Sequence, residues 1–504
     1  MSVKEKYNRI VSHLRKLKDL SAANALMQWD QEVYMPINGG VQRGQQLATL
    51  SAVYHEYATN KEYIQNLKDL IFEESLTDKE KRNVEEALRD AKNSLKFNVD
   101  FVKRKSLLIS KAFHTWEEAR KQNDYSIYAP VLKEMVDLKK EEARIWGFID
   151  HPYDALLDQY ERGMRSNQLE SLFEKVKDKL IPFINEIRNK ETIDRSPFQG
   201  NFDKDKQWNF GIDLLKDLGY DFSRGRQDLS THPFTISFGS NDVRVTTRVK
   251  EDNISEMIWS CIHEGGHALY EQGLLEENYG LASGEACSLS IHESQSRLYE
   301  NNLGRSREYW IKNFELIKSY FPGKFEAVDF ESFYKAMNAV KPSLIRTSAD
   351  ELTYHFHVII RFEIEKGLME GSIKVEDLDK IWNKKYKDYL GVEVPDDNQG
   401  VLQDVHWAHG GFGYFPTYSL GSFYGAQFFA HATKSISGLK EEIEQGNYHS
   451  LLTWLRKEIH QYGKTYNSQE LCDKVTGEAL NIDYFMNYVH DKYGEIYNLA
   501  PIES

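Results

Sequence analysis

The run Ile254-Ser255-Glu256-Met257-Ile258-Trp259-Ser260-Cys261-Ile262-His263-Glu264-Gly265-Gly266-His267-Ala268-Leu269 decides how the rest of the chain is read. Ile254, Met257, Ile258, Cys261, Ile262 and Leu269 recur at helical spacing, which predicts a buried helix. Inside it stands the pattern H-E-x-x-H. Residues four apart on a helix lie one above the other, so His263 and His267 face one point in space. Two neutral imidazoles can hold a divalent cation, zinc as the first choice, and leave positions open for water. Glu264 sits about 100° further round the helix, within reach of that water's proton. The chemistry implied is metal-assisted hydrolysis, most often of a peptide bond. Gly265 and Gly266 each cost a helix interior about 1 kcal/mol relative to Ala. Two such residues between two candidate ligands predict that something comes close there.

The chain has 504 residues, of which 40% are hydrophobic and 28% charged, the balance of a soluble globular protein with a large core. A net charge of −14 argues against nucleic acid and anionic membrane as partners, because both attract basic surfaces. Cys261, Cys287 and Cys472 form no disulfide framework and point to a reduced, cytoplasmic setting. Cys261 lies on another face of the helix from His263 and reads as packing. Met1 to Leu20 has apolar residues at helical spacing with Lys and Arg between them, not the continuous apolar stretch of a secretory signal. No run approaches the roughly 20 apolar residues of a membrane span.

Few prolines interrupt the chain, and most of it carries helical periodicity, so the expected fold class is mainly α. After a first helix, Met27 to Pro36 reads as an aromatic-rich turn. Thr77 and Glu80 form a capping box for a helix reaching about Leu95. Further helices are predicted near 98–122, 130–147, 167–191 and 205–217. The period changes once: Phe234–Phe238 and Val243–Val249 alternate as strands and enclose the turn-rich Gly239-Ser240-Asn241-Asp242, which predicts a single β-hairpin. That hairpin precedes the His263 helix and is expected to wall the site or to cover the core; an open edge there can pair with an extended peptide. Ser283 is expected to cap a helix that ends at Leu303 before Gly304. Helices follow near 306–320, 328–340, 345–370, 375–390, 418–435, 448–462 and 482–493, while 391–417 is irregular and rich in Gly, His and aromatics. Nothing marks a domain boundary, so residues 1–504 read as one catalytic domain in one or two lobes.

A catalytic zinc takes three protein ligands as a rule. Glu285 and Glu293 are the candidates, both placed on the helix after the site. Eight residues apart, they point about 80° apart round that helix, so both cannot face one ion equally, and spacing alone does not choose. His292 is a further candidate ligand or proton donor. An oxyanion forming during hydrolysis also needs a hydrogen-bond donor.

Four more signatures surround these residues in order. Asp242-Val243-Arg244-Val245-Thr246 resembles D-x-R-x-T, and His292-Glu293-Ser294-Gln295-Ser296-Arg297 resembles H-E-S-x-x-R. Ile345-Arg346-Thr347-Ser348-Ala349-Asp350 resembles I-R-x-x-A-D, and Gly400 through Trp407 resembles G-x-x-Q-D-x-H-W. With H-E-x-x-H, and with Trp29-Asp30 through Met35-Pro36, they make the chain similar to the Taq-type, or thermostable, metallocarboxypeptidase family.

That resemblance implies a carboxypeptidase that removes single residues from peptide C-termini with broad tolerance. It also implies a saddle-shaped helical fold with a deep groove, related to the neurolysin-like and angiotensin-converting peptidases, and a homodimer. It makes Glu293 the third metal ligand and Glu285 a supporting residue. One divalent metal per chain is expected, with cobalt or manganese able to share zinc's ligands. His406 and Tyr418 are the candidate oxyanion donors, with His409 and Tyr414 behind them, in a segment that resembles the His/Tyr run of the related oligopeptidases. A free substrate carboxylate calls for a guanidinium. Arg346 is the first choice, Arg244 beside Asp242 the second, and Arg297 the third; each has the alternative of an internal ion pair, Arg346 with Asp350 at helical spacing. The readings set against this one are a related oligopeptidase or dipeptidyl carboxypeptidase, and a metal-free peptide-binding scaffold.

Overall fold

The computed structural model describes residues 2–500 as a mainly α chain with one small sheet. The chain divides into two compact units, each drawn from three stretches of sequence. One unit is Met1–Leu95, Asp194–Met337 and Tyr424–Asn481; the other is Lys96–Ile193, Asn338–Phe423 and Ile482–Ser504. This interleaving explains why no single boundary shows in the sequence. Among the described residues no helix is long and apolar enough to cross a membrane.

The first unit opens on a helix that runs unbroken over Val3–Val33. The expected turn at Met27 is therefore a correction: Trp29 is buried on the last turns of the helix, and Tyr34 is its C-cap. Burial of the indole keeps the helix going where composition alone suggested an end. Tyr7, Ile10 and Leu17 pack with Ile64, Leu67 and Leu70, and with Val84 and Leu88 of the Asp78–Lys96 helix. The capping box holds as read: the Glu80 amide donates to Thr77 Oγ1, and the Thr77 amide donates to Glu80 Oε2.

The sheet has three strands, β1 (Gly225–Leu229), β2 (Thr235–Gly239) and β3 (Asp242–Thr247), in the order β1-β3-β2. β2 and β3 are the predicted antiparallel hairpin, with an irregularity between Ser237 and Gly239. β1 is an addition, parallel to β3 from Gly225 opposite Val243 to Leu229 opposite Thr247. Its residues Arg226-Gln227-Asp228 carry no apolar alternation, and charge pairing takes its place. Asp228 is buried, yet it accepts from Arg226 at 2.7 and 2.8 Å and from the Tyr34 hydroxyl at 2.5 Å.

In the second unit, the helices Val99–Gln122 and Tyr125–Trp146 fold back on each other through Asn123, whose left-handed backbone ends the first. The Tyr354–Glu370 helix is buried along most of its length. It begins later than the predicted 345–370 helix, because residues 346–348 form a short 3-10 turn instead. Arg346 and Asp350 are therefore not on one helix. Asp350 accepts from the Leu352 and Thr353 amides, and Arg346 turns to a different carboxylate.

Candidate metal centre

His263, Glu264 and His267 lie on the helix Ser255–Glu271, and Glu293 lies on Leu289–Arg297, all within the first unit. The cap of the second helix is Ser288, whose hydroxyl accepts from the Ile291 amide; Ser283 sits earlier, in a 3-10 turn. Glu285 is thus not helical at all. Its backbone is extended and its carboxylate pairs with Lys18 at 2.7 Å. The helix also changes pitch: Leu298–Leu303 is a π-helical turn, and it ends at Gly304 as expected.

Gly266 shows what the two glycines admit. A Cβ there would meet Gln295 O and Ser296 Cα at 2.7 Å, and a Cβ on Gly265 would meet Leu215 Cδ2 at 2.8 Å. The visitor predicted from sequence is the backbone of the Glu293 helix. That close approach brings a carboxylate onto the imidazole pair. Glu293 Oε2 stands 3.4 Å from His267 Nε2 and 3.7 Å from His263 Nε2. Tetrahedral ligands about 2.0–2.1 Å from zinc lie roughly 3.3 Å apart, so the observed spacings fit one ion. One ligand atom from each of the three residues lies within 4.8 Å of the other two.

Each of these three side chains is held from behind. His263 Nδ1 contacts Glu300 Oε2 at 2.8 Å, while His267 Nδ1 lies 2.5 Å from His292 Nδ1, and His292 Nε2 lies 2.9 Å from Glu271 Oε1. Arg297 Nε donates to Glu293 Oε1 at 2.7 Å and its Nη1 donates to Glu300 at 3.1 Å. Arg305 donates to Glu300 and lies 3.7 Å from the centre of the Trp259 ring. Burial alone would raise the Glu293 carboxyl, but Arg297, His263 and His267 outweigh it and hold it well below the usual range. Glu300 behaves alike, with Arg297, His263 and Arg305 overcoming burial. Burial, then His292, lowers His267, which favours the neutral imidazole a cation needs. For His263 burial is outweighed by Glu293 and Glu300, and its affinity for a proton rises. Glu264 is buried and fixed by Thr235 of β2, whose hydroxyl donates to Oε2 at 2.7 Å. Cys261 packs as read, with Sγ against Thr247 and Met257.

Glu300, Arg305 and Glu271 were not singled out in the sequence. Glu300 lies seven residues after Glu293, two turns on, and Glu271 four after His267, so helical spacing carried the signal.

The arginine candidates have separate fates. Arg297 is committed to Glu293 and Glu300. Arg244 makes a two-pronged pair with Asp242, at 2.8 Å on both prongs, and its guanidinium lies 4.4 Å from the centre of the Trp29 ring. Two of the sequence signatures meet there. Arg346 belongs to the second unit, where it shares Asp404 with Arg361. Nε and Nη2 of Arg346 donate at 3.2 and 3.1 Å to one carboxylate oxygen, and Arg361 Nε donates at 2.6 Å to the other. Gln403 Oε1 accepts from the Arg346 amide and from Arg361. Two buried guanidiniums on one carboxylate leave an excess positive charge. They overcome burial and hold Asp404 well below its usual range.

Tyr418 lies over the same cluster, with the Arg346 guanidinium 5.2 Å from its ring centre, and it meets Tyr414 edge-on at 5.3 Å. The His406 ring lies tilted against Phe415, with ring centres 4.5 Å apart. Burial pushes His406 down to about 4, helped by Arg346 and Arg361 and opposed by Asp404, so the ring is neutral at pH 7. His409 stacks on Phe113 at 5.3 Å. The irregular backbone is anchored by Glu365, which accepts from Trp407 Nε1 at 2.8 Å and from the Tyr153 hydroxyl and Gly413 amide at 2.9 Å. Gly413 has φ +89°, and a Cβ on it would meet Leu156 C at 2.8 Å.

Residues 9–493 match the family model described as carboxypeptidase Taq (M32) metallopeptidase. The chain is 38% identical over 489 residues to carboxypeptidase 1 of Bacillus subtilis (strain 168), covering 96% of this chain and 97% of that one. It is 37% identical to thermostable carboxypeptidase 1 of Thermus thermophilus, covering 99% of this chain and all of that one. Among solved structures, the M32 carboxypeptidase of Deinococcus radiodurans R1 superposes with a TM-score of 0.96 at 35% identity, covering 98% of this chain and 100% of that one.

Proposed function

Because this chain belongs to the carboxypeptidase Taq (M32) family and is a metal-dependent carboxypeptidase, we propose that His263, His267 and Glu293 hold its cation and that Glu264 is its general base. The observation that carries this is the convergence of two imidazole Nε2 atoms on Glu293 Oε2, one residue from a buried, oriented glutamate. Two nitrogens and one oxygen suit zinc first, with cobalt or manganese able to share the set. When bound, the cation supplies a water of lowered pKa and positive charge for the developing oxyanion. Glu264 then takes the proton of the attacking water and passes it to the leaving amine, while Thr235 keeps its carboxylate aimed.

His406 and Tyr418 are proposed as donors to the oxyanion. Neutrality suits His406 to that task. Arg346 is proposed to receive the substrate carboxylate, on the excess positive charge it shares with Arg361, with Arg244 in its Asp242 pair as the second choice. These roles rest on the sequence signatures and on the chemistry of each cluster. One catalytic domain over residues 1–504, a homodimer and a cytoplasmic setting complete the reading; the buried thiols suit the last.

The test is hydrolysis of a short N-blocked peptide with a free or an amidated C-terminus. Amidation is expected to remove most of the wild-type activity and to cost Arg346→Ala little more. Equal losses in both proteins would clear Arg346 of the role, and undiminished cleavage of the amide by wild type would mean an internal cutter.

A further inference from the structure

The two imidazoles of the centre are backed differently. His263 leans directly on a carboxylate, Glu300, at 2.8 Å. His267 leans on a second imidazole, His292, at 2.5 Å, and only that ring reaches a carboxylate, Glu271, at 2.9 Å. Glu271 is one helical turn beyond His267, and His292 is brought in by the neighbouring helix. Both ring nitrogens of His292 are therefore engaged, with none left to ligate an ion.

The chemistry of these atoms permits one arrangement of protons when a cation is bound. His267 must offer its Nε2 lone pair, so its proton sits on Nδ1 and is donated. His292 Nδ1 must then accept, so the proton of His292 sits on Nε2. There it meets Glu271, a carboxylate that only accepts. Reversing the chain would put a proton on His267 Nε2, facing Glu293, and would set the His292 Nε2 lone pair against a carboxylate. Partners of this kind fix the tautomer and orientation of a ligating imidazole.

We propose that His292 is a positioning residue: anchored by Glu271, it accepts the Nδ1 proton of His267 and so fixes which nitrogen that ligand turns to the cation. This rests on the metal site proposed above and assigns to His292 a task other than ligation or proton donation to substrate.

The test measures Zn2+ affinity by competition with a chromophoric chelator, with the Co2+ absorption spectrum as a second readout. His292→Phe, which keeps ring volume and removes both nitrogens, is expected to bind zinc about 10- to 100-fold more weakly. His292→Gln, which retains an acceptor and a donor, is expected to recover most of that loss. Glu271→Leu is expected to fall between wild type and His292→Phe. Nitrogen-15 histidine spectra of the zinc-loaded wild type should show His292 protonated on Nε2 and bare on Nδ1, and they decide the matter even where a variant fails to fold. A proton on His292 Nδ1, or wild-type zinc affinity in folded His292→Phe, overturns the relay alone. Zinc binding in His263→Ala as tight as in wild type overturns the metal site, and the relay with it.

Discussion

Around His263 the charged groups come mostly from regular backbone: His263, His267 and Glu271 descend one helix in steps of four, Glu293, Arg297 and Glu300 ascend its neighbour, and Arg305 joins from the turn that follows. Around Asp404 the groups are gathered from scattered places: Arg346 from a short turn, Arg361 from a buried helix, and Gln403, Asp404 and His406 from irregular chain. The first arrangement obtains its precision from close helix packing at Gly266. The second obtains it from side chains that tie loops down, Asp404 through two arginines and Glu365 through three donors. A site on helices can therefore lose a functional group and keep its shape, whereas the loop cluster loses its shape when one carboxylate goes.

The sharpest way to break that contrast is to substitute one acid in each region. Glu264→Gln is expected to lower kcat by about 10²- to 10⁴-fold while metal content and thermal stability stay at the wild-type level. Steady-state kinetics with metal analysis checks this, and near-normal turnover would remove Glu264 from the mechanism. Asp404→Ala leaves Arg346 and Arg361 buried without their shared counter-charge, and should cost about 3–5 kcal/mol of stability, read from denaturant unfolding.

A pH profile sharpens the same contrast. Burial pushes Glu365 up to about 7, against the pull of Gly413, Trp407, Tyr153 and Lys139. Its folded value lies above the ordinary carboxyl value, so the folded state binds more protons between about pH 4.5 and 7. Stability therefore falls as pH rises through that window, on the order of 3 kcal/mol in all from this group. Unfolding free energies of wild type minus Glu365→Gln should show that slope, and a flat difference would contradict it. The smallest effect belongs to packing. Gly266→Ala presses a methyl onto the Glu293 helix and should cost about 1–3 kcal/mol, offset in part by the roughly 1 kcal/mol that Ala gains over Gly in a helix. Weakened zinc affinity in that variant would show that the approach of the two helices sets the site.

The same contrast decides what could be read from sequence. Spacing alone put His263 and His267 on one face and Glu264 beside them, because a helix converts sequence distance into direction. The choice of a third candidate ligand needed the family signature, since spacing left Glu285 and Glu293 both open; the structure moves Glu285 off the helix, to Lys18. β1 escaped notice because Arg226 and Asp228 satisfy each other where an apolar alternation would have shown. The signatures held Arg346 and Asp404 separately, but nothing in spacing joined them to each other or to Arg361, as the members lie up to 58 residues apart. Arg361 and Glu365, charged and buried beside the apolar residues Val358, Ile359, Ile360, Phe362 and Ile364, were the nearest to a clue, since buried charges need partners.

The account turns on a single cation shared by three side chains. A crystal of the zinc-loaded protein, with diffraction recorded on both sides of the zinc absorption edge, tests it most directly. The account predicts one anomalous peak about 2.0–2.2 Å from His263 Nε2, His267 Nε2 and a Glu293 carboxylate oxygen. A peak elsewhere, or one bound by the two imidazoles with Glu293 turned away, would contradict it.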